Sequence, residues 1–194
     1  AYCAKVGFKV SNLYVMDGSK RSGKSNAFFT GLGPKKKIVL YDTLIDQMTV
    51  EEIVAVLAHE VGHYKKKHTA QGLVLSVVQT GLMLFLLGWV LRIEEVSLAL
   101  GAEQGSFHVG IIAFGILYTP LSMLMGIGMN VLSRKNEYEA DAYAAETYRA
   151  APLISGLKKL TAENLSNLKP HPWFAFVNYS HPPVLLRINQ LKKC

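Results

Sequence analysis

Three of the six histidines in this 194-residue chain lie in one short stretch, AHEVGHYKKKH, residues 58–68. His59 and His63 are four residues apart, so on a helix they share one face, one turn apart. Two imidazoles in that arrangement can bind one zinc ion. Glu60, rotated by about 100°, misses the metal but can act as general base on a zinc-activated water. The alternative is a solvated helix end, which the apolar residues before the motif disfavour.

His68 bears on where a third metal ligand comes from. It follows His59 by nine residues, which turns it to the opposite face of a continuous helix. The extended motif with a third histidine also fails, because Lys66 and Thr69 stand where Gly and His are needed. We therefore predict that His68 is a charged flank like Lys65–Lys67, and that the third ligand lies elsewhere.

A second acidic stretch, NEYEADAYAAE at residues 136–146, offers that ligand. Glu137 and Asp141 share a helix face, whereas Glu139 and Glu146 point away from it. Glu137 would complete a catalytic site for one zinc ion per chain, with one position open for water. Asp141 would hydrogen-bond a ligand histidine from behind. Spacing alone leaves Glu137 and Glu139 both open, and a solvated helix face is the alternative for the whole cluster.

The residues around these motifs predict a mainly α protein with a small β-sheet, an α+β fold. Thr49 and Glu52 have capping-box spacing, and the apolar run after them predicts the helix that carries the histidines. Earlier in the chain, NLYVMD, NAFFTG and KIVLYDTLI read as three short strands of a β-meander. A small sheet beside two zinc-binding helices is typical of a gluzincin-like protease domain.

Two long segments without Asp, Glu, Lys or Arg, Gln71–Leu91 and Phe107–Leu132, separate the two motifs. Each is long enough to cross a bilayer as a helix, and Pro120 in the second segment is tolerated in a membrane helix, where it would introduce a kink. The alternative is a pair of helices buried in a soluble core. A transmembrane hairpin divides the chain into cytoplasmic, membrane, connector, membrane and cytoplasmic segments, residues 1–70, 71–92, 93–106, 107–132 and 133–194.

Charge predicts the orientation of this hairpin. Residues 1–70 carry eleven Lys and Arg against six Asp and Glu, and residues 133–194 carry nine against five, whereas Arg92 and the connector together are acidic. Under the positive-inside rule both outer segments, and so the active site, face the cytoplasm. The lysine run reads as a membrane flank, so we predict a lipid bilayer and no nucleic acid as partner. Cys3 and Cys194 form neither a disulfide framework nor a zinc cluster.

Taken together, HEVGH, a hydrophobic hairpin, NEYEADAYA and YSHPPVLLR resemble the type I CAAX prenyl proteases, integral-membrane zinc metalloproteases related to the bacterial membrane heat-shock proteases. The resemblance runs from Ser25 to the end of the chain. It implies His59, His63 and Glu137 as ligands, favours Glu137 over Glu139, and implies Glu60 as base. It also implies further membrane helices ahead of this stretch, which the 194 residues do not contain.

The resemblance extends to the handling of substrate. It implies that the SNAFF strand lies along the cleft, with Asn26, Ala27 and Phe28 binding an extended peptide and the Asn26 amide bonding its backbone. It implies that His181 donates to the oxyanion and that Arg187 orients Glu137. From the residues alone, a loop histidine is the simpler interpretation of His181.

We therefore predict a membrane zinc endopeptidase. Its substrates would be peptides or membrane proteins, either prenylated at the C-terminus or unprenylated as in quality control. A zinc-stabilised scaffold without turnover is an alternative that Glu60 disfavours, since a structural site needs no base. A transporter or lipid-binding hairpin would leave the histidine motif unexplained.

Overall fold

The chain is mainly helical, with one small sheet near its beginning, as the sequence predicts. The computed structural model describes residues 2–8, 12–20, 27–30 and 37–194. The strands are β1 (Asn12–Met16), β2 (Ala27–Thr30) and β3 (Lys37–Tyr41). The helices are α1 (Tyr2–Lys5), α2 (Asp42–Gln47), α3 (Val50–Lys65), α4 (His68–Val90), α5 (Glu94–Leu98), α6 (Phe107–Thr147), α7 (Ala150–Glu163), α8 (Pro172–Asn178) and α9 (Val184–Leu191).

The three described strands form a mixed sheet in the order β1-β3-β2. β1 runs parallel to β3, and β2 runs antiparallel to it. The predicted β-meander was therefore wrong in its strand order, because β1 lies beside β3 and not beside β2. A parallel pair needs a crossover connection, which the alternation of apolar residues does not reveal.

The third strand is also shorter than predicted, because it ends at Tyr41 and a helix starts at the next residue. The Asp42 carboxylate accepts hydrogen bonds from the backbone N–H groups of Gly18 at 2.9 Å and Thr43 at 2.8 Å. An acidic side chain in the first turn of a helix satisfies unpaired N–H groups there. Asp42 thus ends the strand, starts α2 and ties it to the turn after β1.

Helix α3, which carries the histidine motif, begins at the predicted capping box. The Thr49 side chain accepts from the Glu52 N–H at 3.3 Å, and the Glu52 carboxylate accepts from the Thr49 N–H at 2.8 Å. Glu52 is buried and also accepts from Ser155 Oγ at 2.6 Å and Lys159 Nζ at 2.7 Å, both in α7. Burial opposes ionisation of Glu52, but these hydrogen bonds outweigh it and lower its pKa to about 2. One carboxylate therefore caps α3 and joins it to α7.

We expect Glu52→Gln to lower the free energy of unfolding by about 2 kcal/mol, the size of a hydrogen bond to a charged group. The folded-state pKa lies below the ordinary value of 4.5. The stabilisation is therefore complete above about pH 4.5 and is lost as the pH falls toward 2. Thermal unfolding in detergent should show a Tm difference from wild type that narrows over this interval. Glu51→Gln, an exposed neighbour, is the matched control, and a difference independent of pH would contradict the prediction.

Helix α3 packs closely against the second half of α6. A Cβ atom added to Gly62 would lie 3.0 Å from the Ala140 Cα and 3.2 Å from the Tyr143 Cβ. Ala58 and Ala144 also lie in this core and are fully buried. Small residues let two helix backbones approach one another, and here they bring the histidine face of α3 against the acidic face of α6.

Helices α4 and α6 are long and apolar enough to cross a membrane, with mean hydropathies of 2.1 and 1.8 in their most apolar windows. Only 6% and 11% of those windows is buried, and large side chains such as Phe85 and Ile116 are mostly exposed. Within the described residues, most of both apolar windows is therefore exposed, which disfavours the alternative of two helices buried in a soluble core. Helix α6 continues through Pro120 and past the apolar segment, so one helix joins that segment to Glu137.

Candidate metal centre

Three side chains from α3 and α6 converge on one point. His59 Nε2 and His63 Nε2 lie 3.2 Å apart. The Glu137 carboxylate lies 3.6 Å from His59 Nε2 and 3.3 Å from His63 Nε2. His59 and Glu137 are buried and His63 is half-buried. The structure therefore brings together the three residues that the sequence analysis selected, and Glu139 is not among them.

The separations of these three residues fit a zinc ion. A tetrahedral zinc with bonds of about 2.0–2.1 Å to nitrogen and oxygen separates its ligand atoms by roughly 3.3 Å. The chemistry fits as well, because two imidazole lone pairs and a carboxylate facing one another repel unless a cation lies between them. His59, His63 and Glu137 can thus hold one metal ion.

Asp141 lies behind His59, as the spacing on α6 predicts. Its Oδ1 is 2.9 Å from His59 Nδ1, so His59 donates from Nδ1 and its Nε2 lone pair faces the ligand cluster. Arg187 donates to both oxygens of Asp141, at 2.7 and 2.6 Å, and its Nη1 is 3.0 Å from the Glu137 carboxylate. Burial opposes ionisation of Asp141, but the hydrogen bonds from Arg187 and His59 outweigh it and lower its pKa. Arg187 therefore holds two buried carboxylates in place.

His68 is buried on the side of His63 away from the ligand cluster, so the prediction of a charged flank like Lys65–Lys67 was wrong. Helix α3 ends at Lys65, and Lys67 adopts the left-handed conformation, with φ 61° and ψ 25°. The 100° rotation per residue is interrupted there, and His68 turns back toward His63. It is buried, and its Nδ1 lies 3.0 Å from His63 Nδ1. No Gly or Pro marks this break, so the sequence carried no signal for it.

Glu60 lines the cleft beside the ligand cluster. The cleft has a volume of about 510 Å³ and is also lined by His59, Glu137 and His181. Apolar side chains, including those of Leu44 and Leu157, also line the cleft. Burial raises the pKa of Glu60 above its ordinary value. A carboxyl with raised pKa at the edge of a cleft has the character of a general base.

His181 enters the cleft from the loop between α8 and α9. Its Nδ1 lies 3.1 Å from the Glu137 carboxylate, and its side chain is 67% exposed. The hydrogen bond to Glu137 raises the pKa of His181. The histidine is therefore held at one nitrogen by a member of the ligand cluster, while most of the ring remains accessible.

Of the predicted substrate-binding residues, Asn26 lies outside the described residues. Ala27 and Phe28 begin β2, where they pair with Leu40 and Val39 of β3. β2 is the last strand on its side of the sheet, and no further strand pairs with it within the described residues. β2 also contacts α3, and the role of its outer edge in binding an extended peptide stays a prediction.

Known proteins resemble this chain in sequence and in fold. The sequence model of peptidase family M48 matches residues 1–194. The chain is 40% identical to the CAAX prenyl protease 1 homolog of Oryza sativa subsp. japonica, over 97% of this chain and 45% of that protein. It is 37% identical to CAAX prenyl protease 1 of Saccharomyces cerevisiae, over 96% and 45%.

A solved structure agrees with these sequence matches. The crystal structure of S. mikatae Ste24p superposes with a TM-score of 0.88 at 35% identity, covering 97% of this chain and 48% of that one. The chain spans about half the length of the curated relatives it matches.

Proposed function

The chain belongs to peptidase family M48, and from that premise we propose that it carries the catalytic site of a membrane-embedded zinc metalloendopeptidase with a gluzincin-like domain. The observation that carries the proposal is the convergence of two histidines and a glutamate at separations that suit zinc, beside the half-buried Glu60. An intact base next to the ligands favours turnover over a purely structural metal site.

The metal would be held by His59, His63 and Glu137. When bound, zinc supplies Lewis-acid chemistry: it polarises the scissile carbonyl and lowers the pKa of water. Asp141 accepts the Nδ1 proton of His59 and so keeps its Nε2 free. Arg187 holds the carboxylates of Glu137 and Asp141, and it would therefore act as a positioning residue.

Glu60 would move the proton. Its carboxylate takes a proton from the attacking water and later passes it to the leaving amine, so that one group serves as base and then as acid. The negative charge on the carbonyl oxygen would be met by a hydrogen bond from His181. An extended peptide would pair with the edge of β2 that no other described strand occupies, next to Ala27 and Phe28, and the neighbouring Asn26 would bond its backbone.

We propose that the substrates are prenylated proteins cleaved near the C-terminus. Two observations support this choice: the relatives named CAAX prenyl proteases, and two exposed apolar helices that would give the site a membrane setting. A C-terminal Cys-a-a-X sequence carries its prenyl group on the cysteine, so a lipid surface next to the cleft would hold the group. The charge difference between the outer segments and the connector favours a cytoplasmic cleft.

The test is cleavage of a farnesylated C-terminal peptide by the protein in lipid nanodiscs, with and without a chelator. We expect cleavage that the chelator abolishes and that added zinc restores, with one zinc per chain by metal analysis. The same peptide without its prenyl group separates the two substrate classes: faster cleavage of the unprenylated peptide would contradict the prenyl specificity. Zinc binding without cleavage of any peptide would contradict the proposed peptidase activity.

We expect His181→Ala to lower kcat about a hundredfold, the size of losing one oxyanion donor, while zinc content stays full. The hydrogen bond from His181 would form only in the transition state, so its loss should change KM little. His171→Ala, in the loop before α8, is the matched control. If kcat stayed at the wild-type value, His181 would be a loop histidine.

A further inference from the structure

His68 has no part in the proposed reaction. It directly follows a run of three lysines, yet it is buried, with only 6% of its surface exposed. Its ring packs edge-on against His63, with the ring centroids 5.1 Å apart. Its two nitrogens have different partners. Nδ1 faces His63 Nδ1 at 3.0 Å, and Nε2 faces the Glu139 carboxylate at 3.3 Å. A buried histidine with both nitrogens in contact and no assigned task needs an explanation.

The positions of the protons follow from these partners. The Glu139 carboxylate can only accept, so His68 donates from Nε2 and its Nδ1 carries a lone pair. That lone pair accepts from His63 Nδ1–H. His63 is thereby left with a bare Nε2, the atom that faces His59 Nε2 and Glu137. The chain from Glu139 through His68 selects the one tautomer of His63 that can bind a metal at this point.

Two carboxylates of α6 thus hold the two ligand histidines in different ways, one directly and one through His68. His59 meets the Asp141 carboxylate directly at 2.9 Å. Glu139 lies two residues earlier on α6, about 200° away around the helix, and reaches His63 only through His68. The left-handed Lys67 between α3 and α4 brings His68 into this gap. A non-glycine residue seldom adopts this conformation, and here it allows the contact between His68 and His63.

We propose that His68 and Glu139 form a positioning relay that fixes the tautomer and ring orientation of His63 for metal binding. The inference rests on the proposed metal site, and it goes beyond the assignment of ligands and base. Partners of this kind behind a metal ligand typically change metal affinity by 10–100-fold. The alternative is that His68 only fills space between α3, α4 and α6.

The test is zinc affinity measured by competition with a chelator, together with the visible absorption spectrum of the cobalt-substituted protein. The His68→Leu substitution introduces an apolar side chain of similar size. We expect it to lower zinc affinity roughly 10–100-fold and to alter the cobalt spectrum. We expect His68→Asn to recover part of the affinity, because its Oδ1 can accept from His63 near the position of Nδ1. Thermal unfolding of the metal-free proteins reports any loss of packing separately.

Glu139→Gln provides a second variant, because that side chain is 38% exposed and its loss leaves the core intact. We expect it to weaken zinc binding in the same direction as His68→Leu, whereas Glu146→Gln, at an exposed site on the same helix, leaves the affinity unchanged. Wild-type affinity and spectrum in both His68→Leu and Glu139→Gln would overturn the relay, as would equal affinities of His68→Leu and His68→Asn. Absence of zinc from the wild-type protein would instead overturn the proposed function.

Discussion

The Glu60→Gln variant is expected to keep its zinc and to lose about 10²–10⁴-fold in the rate of cleavage, the range that general acid–base catalysis supplies. Glutamine has nearly the volume of glutamate and can still form hydrogen bonds, but its amide cannot take a proton from water. Glu60 lines the cleft without belonging to the converging ligand set. The chemistry should therefore fail while the metal site remains complete.

Single-turnover cleavage of the farnesylated peptide, with metal analysis of the same sample, measures both effects. Glu51→Gln, at an exposed position on α3, is the matched control and should cleave at the wild-type rate. Cleavage near the wild-type rate in Glu60→Gln would require a different base. Loss of zinc together with cleavage would mean that Glu60 supports the metal and not the proton transfer.

The predicted ligand set depended on two helical spacings, and both spacings lie within unbroken helices. His59 and His63 lie within α3, and Glu137 and Asp141 lie within α6. The helical repeat therefore held at each pair. The resemblance to the CAAX prenyl proteases is confirmed by the match to peptidase family M48, and it was needed to choose Glu137 over Glu139 because spacing could not.

His68 shows where the same reasoning failed. The count of nine residues from His59 assumed one continuous helix, and a single left-handed residue, Lys67, invalidated it. Lysine has no special preference for that conformation, so composition could not have indicated the break. The burial of His68 results from tertiary packing between α3, α4 and α6, which a local pattern does not contain.

Long-range polar contacts were equally out of reach of the sequence. Arg187 binds Asp141 from 46 residues away, and Lys159 binds Glu52 across 107 residues. No periodicity connects such pairs, because each depends on how two helices cross. Only the resemblance pointed to Arg187, and it implied contact with Glu137 alone, whereas the structure shows the guanidinium on both buried carboxylates.

The assignment of Glu137, and not Glu139, as the third ligand predicts the other large effect, a loss of zinc affinity. We expect Glu137→Gln to lower zinc affinity by more than about a hundredfold, beyond the loss typical of a partner behind a ligand. The substitution replaces an anionic oxygen facing both histidines with a neutral amide. Arg187 keeps its two hydrogen bonds to Asp141, so the fold should remain while the metal is lost.

Glu139→Gln is the matched comparison, since it is the same substitution two residues away on the same helix. Its carboxylate is 3.3 Å from His68 Nε2 and acts on the metal site only through His68 and His63. The relay predicts a loss of at most about a hundredfold for it, so its affinity should lie between those of wild type and Glu137→Gln. Competition titration with a chelator ranks the three proteins. Equal zinc affinities for the two variants would remove Glu137 from the ligand set. Loss of a direct ligand must weaken zinc binding more than loss of a residue that acts through two imidazoles.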